Sequence, residues 1–314
     1  MSLSEKNIRY ILKKGENEKA EFKSGMHMDI MNIYPIICAF ANSKGGVFFL
    51  GVSDSGEIIG CNPNQLKRLA NKLRADLLQE KYISPTIIAD INIIKIDDKY
   101  ILYIYVKKSL ANHKVKGTAY YRINDRTVTQ DTAKAYNRIN RSGVYNYLAH
   151  SDKSTISSYD AAFRILKPFK EWVENNKGWQ TILDFPEKTR EKHIQRLIDL
   201  KGREYCEKNN IDMSFEANEG PGPLDLKLSR GNDKTVIEIK LSSNPQYLHG
   251  FTTQIEEYAK SENTDKKIYV YIDIGNPIRT EKLKDLYKQM KTADKNPAHL
   301  YIIDSTKKKS ASKK

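Results

Sequence analysis

Between Leu224 and Lys240 the chain alternates apolar and charged residues on both sides of Gly231-Asn232, and this alternation leaves little choice of local structure. Successive side chains of a strand point to opposite faces. Leu224, Leu226 and Leu228 therefore line one face while Asp225 and Lys227 line the other, and the second arm turns Ile237 and Ile239 inward with Glu238 and Lys240 outward. Gly-Asn is among the pairs favoured in a two-residue hairpin turn, which sets Arg230 opposite Asp233 and, counting back, Asp225 opposite Glu238. Carboxylates so opposed have Cβ atoms about 4.5 to 5.5 Å apart and repel each other. A hard divalent cation relieves the repulsion, because Mg²⁺ is normally held by one or two carboxylates with waters and substrate phosphate completing its shell. Lys240, on the same face, is then placed to stabilise charge developing at phosphorus or to help position an attacking water. The competing reading is a surface hairpin on which Lys227 and Lys240 neutralise Asp225 and Glu238. A longer loop would also weaken the facing geometry.

A chain of 314 residues is about twice the common size of one domain, so two compact units are expected. Lysine and arginine number 53 against 39 aspartate and glutamate, a formal charge of +14, which suits a polyanionic partner and above all nucleic acid. A Lys-rich proteome would produce the same balance, so the residues must decide. Cys38, Cys61 and Cys206 show neither paired spacing nor an even count, which fits a reducing compartment and predicts a cytoplasmic protein. The N-terminus lacks the apolar stretch of a secretory signal. The longest apolar runs, 47–52 and 101–106, are far shorter than the roughly 20 residues that cross a bilayer. No membrane partner is expected, and homo-oligomerisation is left open.

Periodicity divides the chain further. Ile33, Ile36, Ile37 and Phe40 lie on one helical face that stops before Gly45-Gly46. Residues 47–52 then read as a strand, and Asp54-Ser55-Gly56 as the turn of a hairpin to 57–60. A helix is predicted over 65–79, with strands over 86–96, 100–106 and 119–123. This mixed α and β domain spans 1–132. Residues 133–190 read as a helical connector, with its strongest amphipathic stretch at 161–175. A second domain, 191–305, opens with a helix and continues through strands near 213–217, 224–228, 235–240 and 267–272, with a helix over 251–260. The tail, 306–314, carries Lys307, Lys308, Lys309, Lys313 and Lys314 among serines and has no apolar residue with which to fold.

At Pro223-Leu224-Asp225 followed by Glu238-Ile239-Lys240 the sequence resembles the PD-(D/E)XK nuclease superfamily, whose signature is an acidic residue on one strand and Glu-x-Lys on the next. Leu224 separates the Pro from the Asp. Gln254 and Tyr258, four residues apart on one helical face, resemble the Q-x-x-x-Y element of the RecB-like branch. Glu204, in the preceding helix, matches the upstream acidic residue that several branches use as an extra ligand. The resemblance covers about 197–275 and implies a restriction-endonuclease-like α/β core. It further implies Mg²⁺ or Mn²⁺ on Asp225 and Glu238 with Glu204 as a weaker ligand, Lys240 serving water and transition state, and Gln254 and Tyr258 positioning substrate or the site itself. Glu219, in the loop Glu219-Gly220-Pro221-Gly222-Pro223, reads mainly as turn chemistry, with metal or substrate contact as the alternative.

A second resemblance covers about 14–132. Glu21-Phe22-Lys23, Ala39-Phe40-Ala41-Asn42 with Gly45-Gly46, Gly51-Val52-Ser53-Asp54 with Gly56 and Gly60, and Tyr121-Arg122 with Thr127 resemble the Schlafen AlbA_2 domain in order and spacing. Members that cleave RNA, including tRNA, use three acidic residues, and the matching positions are Glu16, Glu21 and Asp54, with Lys23 on the face of Glu21. Other relatives only bind nucleic acid, so the resemblance does not establish a second active site. Without chemistry, Glu16 and Glu21 are an acidic strand edge and Asp54 a turn residue. Tyr121, Arg122 and Arg126, with Tyr120, Tyr136, Arg138 and Arg141 nearby, interleave rings and cations as a backbone-tracking surface would, although ordinary surface strands carry such residues too.

The expected fold class is therefore α/β and α+β in two domains. Three functions are compatible with it: a metal-dependent nuclease acting on DNA or RNA, in defence or nucleic-acid processing; an RNase using Glu16, Glu21 and Asp54; and a regulator that only binds nucleic acid. The sequence lacks G-x-x-x-x-G-K-[ST], H-E-x-x-H and G-x-S-x-G, and its six histidines have no ligand spacing, which argues against nucleotide hydrolases, zinc peptidases and serine hydrolases.

Overall fold

A computed structural model of the protein describes residues 3–25, 29–145, 156–218, 223–293 and 295–308. The chain divides into two compact units, Met1–Ala133 and Lys134–Lys314. Among the described residues no helix is long and apolar enough to cross a membrane.

In the first unit α1 (Glu5–Lys14) starts at Ser4, whose side chain accepts a hydrogen bond from the Asn7 amide, the usual way to satisfy an orphan helix donor. It buries Ile8 and Leu12. Then follow β1 (Ala20–Lys23), α2 (Ile33–Asn42), β2 (Gly46–Leu50) and α3 (Pro63–Leu77). The last is capped by Asn62 with Pro63 in its first turn. The unit continues with β3 (Ala89–Ile96), β4 (Lys99–Val106), β5 (Tyr120–Ile123) and β6 (Arg126–Thr129). The main sheet has the order β1-β2-β4-β3. One face carries α1 over Phe22, Val47 and Phe49, and the other carries α2 and α3 over Phe48, Leu50 and Leu102.

The hairpin expected over 47–60 is not formed. It is reduced to a single bridge between Val52 and Ile58, while β2 lies parallel to β1 and antiparallel to β4. All five residues of β2 are buried, and a strand covered on both faces must find hydrogen-bonding partners on both edges. Gly46 permits the packing: a Cβ there would meet the Phe40 ring at 2.3 Å.

The boundary between the units falls inside α4 (Gln130–Ser142). The second unit then contains α5 (Ser158–Asn175), α6 (Gly178–Asp184), α7 (Arg190–Lys208), β7 (Asp212–Asn218), β8 (Pro223–Arg230), β9 (Asp233–Leu241), α8 (Tyr247–His249), a π turn over Gly250–Gln254, α9 (Ile255–Ser261), β10 (Lys267–Asp273), α10 (Pro277–Thr292) and β11 (His299–Asp304). Its sheet has the order β11-β10-β9-β8-β7, with β9, β10 and β11 parallel and β7 and β8 antiparallel. Arg230 stands opposite Asp233, with Gly231 at φ 58°, as a tight Gly-Asn turn requires.

Two expectations are corrected by this architecture. Much of 133–190 is not a connector, because Ala161, Ile165, Phe169, Trp172, Ile182 and Phe185 pack in one core with Leu226, Ile239 and Val270. The polar face of the hairpin is not outward either. Tyr247, Phe251, Ile255, Tyr258 and Leu283 form a second core with Val236, Tyr269 and Tyr271, so helices cover both faces of the sheet, as is usual where strands run parallel. Of the basic tail, Lys308 pairs with Asp304, while Lys309, Lys313 and Lys314 lie outside the described residues.

Candidate functional site

The β8–β9 ladder runs from Arg230 opposite Asp233 to Leu226 opposite Ile237. One step further, Asp225 turns its carboxylate onto the next strand: Oδ2 accepts the Ile239 amide at 2.7 Å, and Oδ1 accepts Nε2 of Gln195 at 2.7 Å. The Lys240 ammonium lies against the Glu238 carboxylate, 3.6 Å from Asp225 Oδ2 and 3.8 Å from Glu191 Oε1. Glu238 is 0% exposed. Neither of its oxygens accepts a hydrogen bond of ordinary geometry from the described residues.

Such burial sets the protonation chemistry. Loss of solvent pushes Glu238 well above the usual carboxylate range, and the neighbouring Asp225 pushes it further. Burial likewise raises Asp225, against the pull of Lys240 and the Ile239 amide. For Lys240 burial opposes the charge but is outweighed by Asp225 and Glu238, so its pKa is raised and it remains an ammonium. Perturbed groups clustered in this way are characteristic of functional sites, although structural ion pairs produce them too.

The side chains around the cluster come from every layer. Tyr269 stands next to Glu238 in the parallel ladder and Tyr271 next to Lys240. Gln254 donates to the Tyr258 hydroxyl at 2.8 Å. Burial raises the pKa of that hydroxyl, and the charges of Glu238 and Asp225 add to the shift. Gly250 opens the π turn where a Cβ would meet Tyr269 at 3.3 Å and Lys240 Cγ at 3.4 Å, so the helix approaches the lysine stem closely. Lys227, on the same strand face, instead pairs with Glu262 at 2.6 Å. The competing surface-hairpin reading therefore fails on burial, although Lys240 does neutralise Glu238 within the protein.

Glu204 is not part of this site. It is exposed near the C-terminal end of α7 and pairs with Lys208 at 2.8 Å. Glu191 and Gln195, at the other end of the same helix, take the place expected of it. Glu204 comes thirteen positions after Glu191 along the helix, about 20 Å at 1.5 Å per residue. Glu191 accepts the Leu241 amide at 3.1 Å and Gln195 holds Asp225. The chain order contains the signal: α7 leads directly into β7, so the end of the helix nearest in sequence to the strands faces the wrong end of β8. Glu219 lies outside the described residues.

The two carboxylates fit a hard cation by their oxygen chemistry, with Glu238 meeting the Lys240 ammonium and no backbone amide of the described residues. Among the described residues no group of three or more His, Cys, Asp and Glu is arranged to hold a metal. Two carboxylates suffice for Mg²⁺ when waters and phosphate complete the shell, and the Lys240 ammonium now occupies the position between them.

In the first unit Glu16 Oε1 accepts the Phe22 amide at 2.6 Å, while Lys23 reaches Glu21 at 2.7 Å and Glu16 at 3.7 Å. Burial raises the pKa of Glu16, and Glu21 and the exposed Asp54 add to the shift. These acidic residues thus feel one another around Lys23. Arg122 contradicts the expected role in binding. Its guanidinium is buried, pairs with Glu21 at 2.7 Å, donates to Thr127 at 3.1 Å and to the Asn17 carbonyl at 2.8 Å, and lies 5.0 Å from the Phe40 ring centre. A side chain so placed ties β5 to β1 and offers no charge to a phosphate. Tyr121 donates to Asn112 at 3.0 Å and Arg126 lies 3.8 Å from Asp125; both are partly exposed.

Glu21 on β1 and Gly46 on β2 thus share the main sheet, to which Arg122, on the separate β5–β6 ribbon, is tied through Glu21. Residues 16–131 match the family model described as Schlafen, AlbA_2. Beyond this AlbA_2 domain, residues 158–276 match a model described only as a domain of unknown function, DUF8371. No curated protein matches the chain. Among solved structures it is similar to the DIP2311 protein from Corynebacterium diphtheriae, at 15% identity and a TM-score of 0.29, over 50% of this chain and 36% of that one. It is also similar to the N-terminal domain of a protein from Nitrosomonas europaea described as related to the ATP-dependent DNA helicase RecG, at 19% identity and a TM-score of 0.26, over 39% of this chain and 90% of that one. The chain thus spans about a third of the DIP2311 protein, and neither TM-score is high enough to carry an argument.

Proposed function

We propose that the protein is a metal-dependent nuclease in which the second unit hydrolyses phosphodiester bonds of DNA or RNA and the AlbA_2 domain engages the nucleic acid. The observation that carries this reading is the buried convergence of Asp225 and Glu238 on the single ammonium of Lys240. Resemblance to the PD-(D/E)XK pattern and a formal charge of +14 support it from independent directions.

Asp225 and Glu238 would hold Mg²⁺ or Mn²⁺, which when bound lowers the pKa of a water and offsets charge on the scissile phosphate. Gln195 and the Ile239 amide fix the two Asp225 oxygens, so the carboxylate is oriented before any ligand arrives. Lys240 keeps a positive charge beside the acids, where charge on phosphorus would develop. Gln254 holds the Tyr258 hydroxyl on the same side of the sheet, in a positioning role.

The deciding experiment incubates the full chain with single- and double-stranded DNA, tRNA and other RNA, with Mg²⁺ or Mn²⁺ and with EDTA. Cleavage that requires the metal is expected, and no product from any substrate would refute the nuclease. Glu191→Ala and Gln195→Ala are expected to slow cleavage by about tenfold through loss of orientation, whereas Glu204→Ala leaves it unchanged; equal sensitivity at 204 would undo the assignment of this helix. Mn²⁺ at about 100 times its dissociation constant is expected to stabilise the wild type by about 2.7 kcal/mol, read as a rise in melting temperature. An Asp225→Asn protein should show no such rise.

A second reading, an RNase built on Glu16, Glu21 and Asp54, is favoured by the mutual electrostatic influence of Glu16, Glu21 and Asp54 around Lys23. Glu21 is a poor test of it because Glu21 also anchors the buried Arg122. Asp54 is exposed, so Asp54→Asn separates the readings: loss of RNA cleavage there, with Asp225→Asn active, transfers the chemistry to the first unit. Tight binding that is indifferent to EDTA and yields no product would leave only a nucleic-acid-binding regulator.

A further inference from the structure

A hollow of about 700 Å³ lies where β10 and β11 begin, within the size range of small-molecule sites. Tyr159 in the first turn of α5, Tyr287 and Lys291 on α10, Lys295 on the approach to β11 and His299 at its first position all line it. It contains none of the residues assigned to cleavage. Lys267 at its margin stands beside Val236, whereas the acidic cluster begins at Glu238, beside Tyr269.

The charges in this hollow are unevenly matched. Lys266 is paired with Asp233 at 2.6 Å and Lys267 with Glu256 at 2.7 Å. Lys291 and Lys295 have no carboxylate within ion-pair distance among the described residues, and Asp265 is the one acidic side chain among the described lining residues. Helix-end electrostatics explain a cation at Lys291, in the last turn of α10. They do not explain Lys295 beyond the helix end, or the rings gathered opposite. Lys291 lies 5.3 Å from the centre of the Tyr287 ring. Tyr159 is close enough to Tyr287 for the two hydroxyls to influence each other, after the larger effect of burial. His299 packs edge-on to Phe163 with centroids 5.0 Å apart. Burial and Lys291 hold its pKa below the ordinary histidine value, so at neutral pH the imidazole is uncharged and offers one donor and one acceptor.

We infer that this hollow binds a nucleotide unit, with the phosphate on Lys291 and Lys295 and the planar base against Tyr159, Tyr287 and His299. Two ammonium groups without a carboxylate partner among the described residues match a phosphate, and aromatic faces accept any base with little regard to sequence. A free nucleotide and one residue of a passing strand present the same chemistry, so the probes must distinguish them.

The test titrates the full chain with 5′-AMP and, separately, with a short oligoadenylate RNA, both in EDTA so that no strand is cut and no metal contributes. Binding of at least one probe is expected, competed by inorganic phosphate. The Lys291→Gln/Lys295→Gln double variant, and separately Tyr287→Leu, should weaken it by about tenfold or more, while Lys288→Gln should not. Saturation by AMP identifies a free nucleotide as occupant; binding of the oligonucleotide alone, lost in the same variants, identifies a strand. The inference is overturned if neither probe binds at millimolar concentration, or if circular dichroism shows the double variant folded and its affinity is unchanged. Because the assay needs neither metal nor cleavage, unchanged affinity in the folded double variant leaves the proposed nuclease standing, and failure of the nuclease leaves this site standing.

Discussion

Glu238→Gln is expected to reduce metal-dependent cleavage by about 100-fold or more while the second unit stays at least as stable as the wild type at pH 8. The activity arm follows from removing one of the two carboxylates that would hold the cation. The stability arm follows from the environment of the side chain. Glu238 is fully buried and its pKa is raised, first by burial and then by Asp225. A carboxyl whose pKa is raised on folding contributes stability that is fully present below its unfolded value, about 4.3, and is lost as pH rises through the folded one. At pH 8 the wild type therefore bears most of the cost of this ionisation, and a neutral amide of the same shape bears none of it. Lys240 retains Asp225 and Glu191 within 4 Å. Melting temperatures at pH 5 and pH 8, with a cleavage assay at pH 8, read both arms. Unimpaired cleavage by Glu238→Gln would remove the site from the chemistry. A substantial loss of stability at pH 8 would show that the carboxylate is structural.

Arg122→Ala is expected to destabilise the first unit by about 3 to 5 kcal/mol, because it leaves Glu21 partly buried beside one cation instead of two. The guanidinium is fully buried at its charged end and bridges β5 to β1 through Glu21 and the Asn17 carbonyl. Arg122→Lys does not restore it, since a single ammonium cannot reproduce the forked donation to Glu21, Thr127 and Asn17. Denaturant unfolding of the full chain, followed by a probe in the first unit, measures the effect. A variant that keeps its stability but loses affinity for nucleic acid would reverse the assignment and return Arg122 to the binding surface. Tyr121 and Arg126, which are partly exposed, remain the residues at which substitution should alter binding without unfolding.

The hairpin that carries Asp225 and Glu238 could be read from its residues because its information is local. Alternation of period two sorts the side chains, and Gly231-Asn232 sets the register, so only neighbours in sequence are needed. The adjacency of Gln254 and Tyr258 is legible for the same reason, since they lie one helical turn apart. Glu191 and Gln195 were not legible from spacing alone. Their role depends on which end of α7 meets the opening of β8, and proximity in sequence favoured Glu204, at the wrong end. The helices over 158–185 have the sequence pattern of a connector because an amphipathic stripe declares that a face will be buried but not against what. Arg122 failed by a similar route. An arginine among tyrosines looks like a phosphate-binding residue until Glu21, a hundred positions earlier, is found beside it.

By itself the sequence determined the β8 and β9 strands and the turn between them, the order of acidic and basic residues, and an excess of positive charge suited to a polyanion. Only the tertiary structure decided that the acidic face is covered by α8, α9 and α10, that the Lys240 ammonium lies between the carboxylates, and that the end of α7 bearing Glu191 closes the site. Backbone geometry repeats over two or four residues and is written locally. Desolvation and ion pairing depend on which distant segments exclude water from a side chain, and those segments meet it only when the chain has folded.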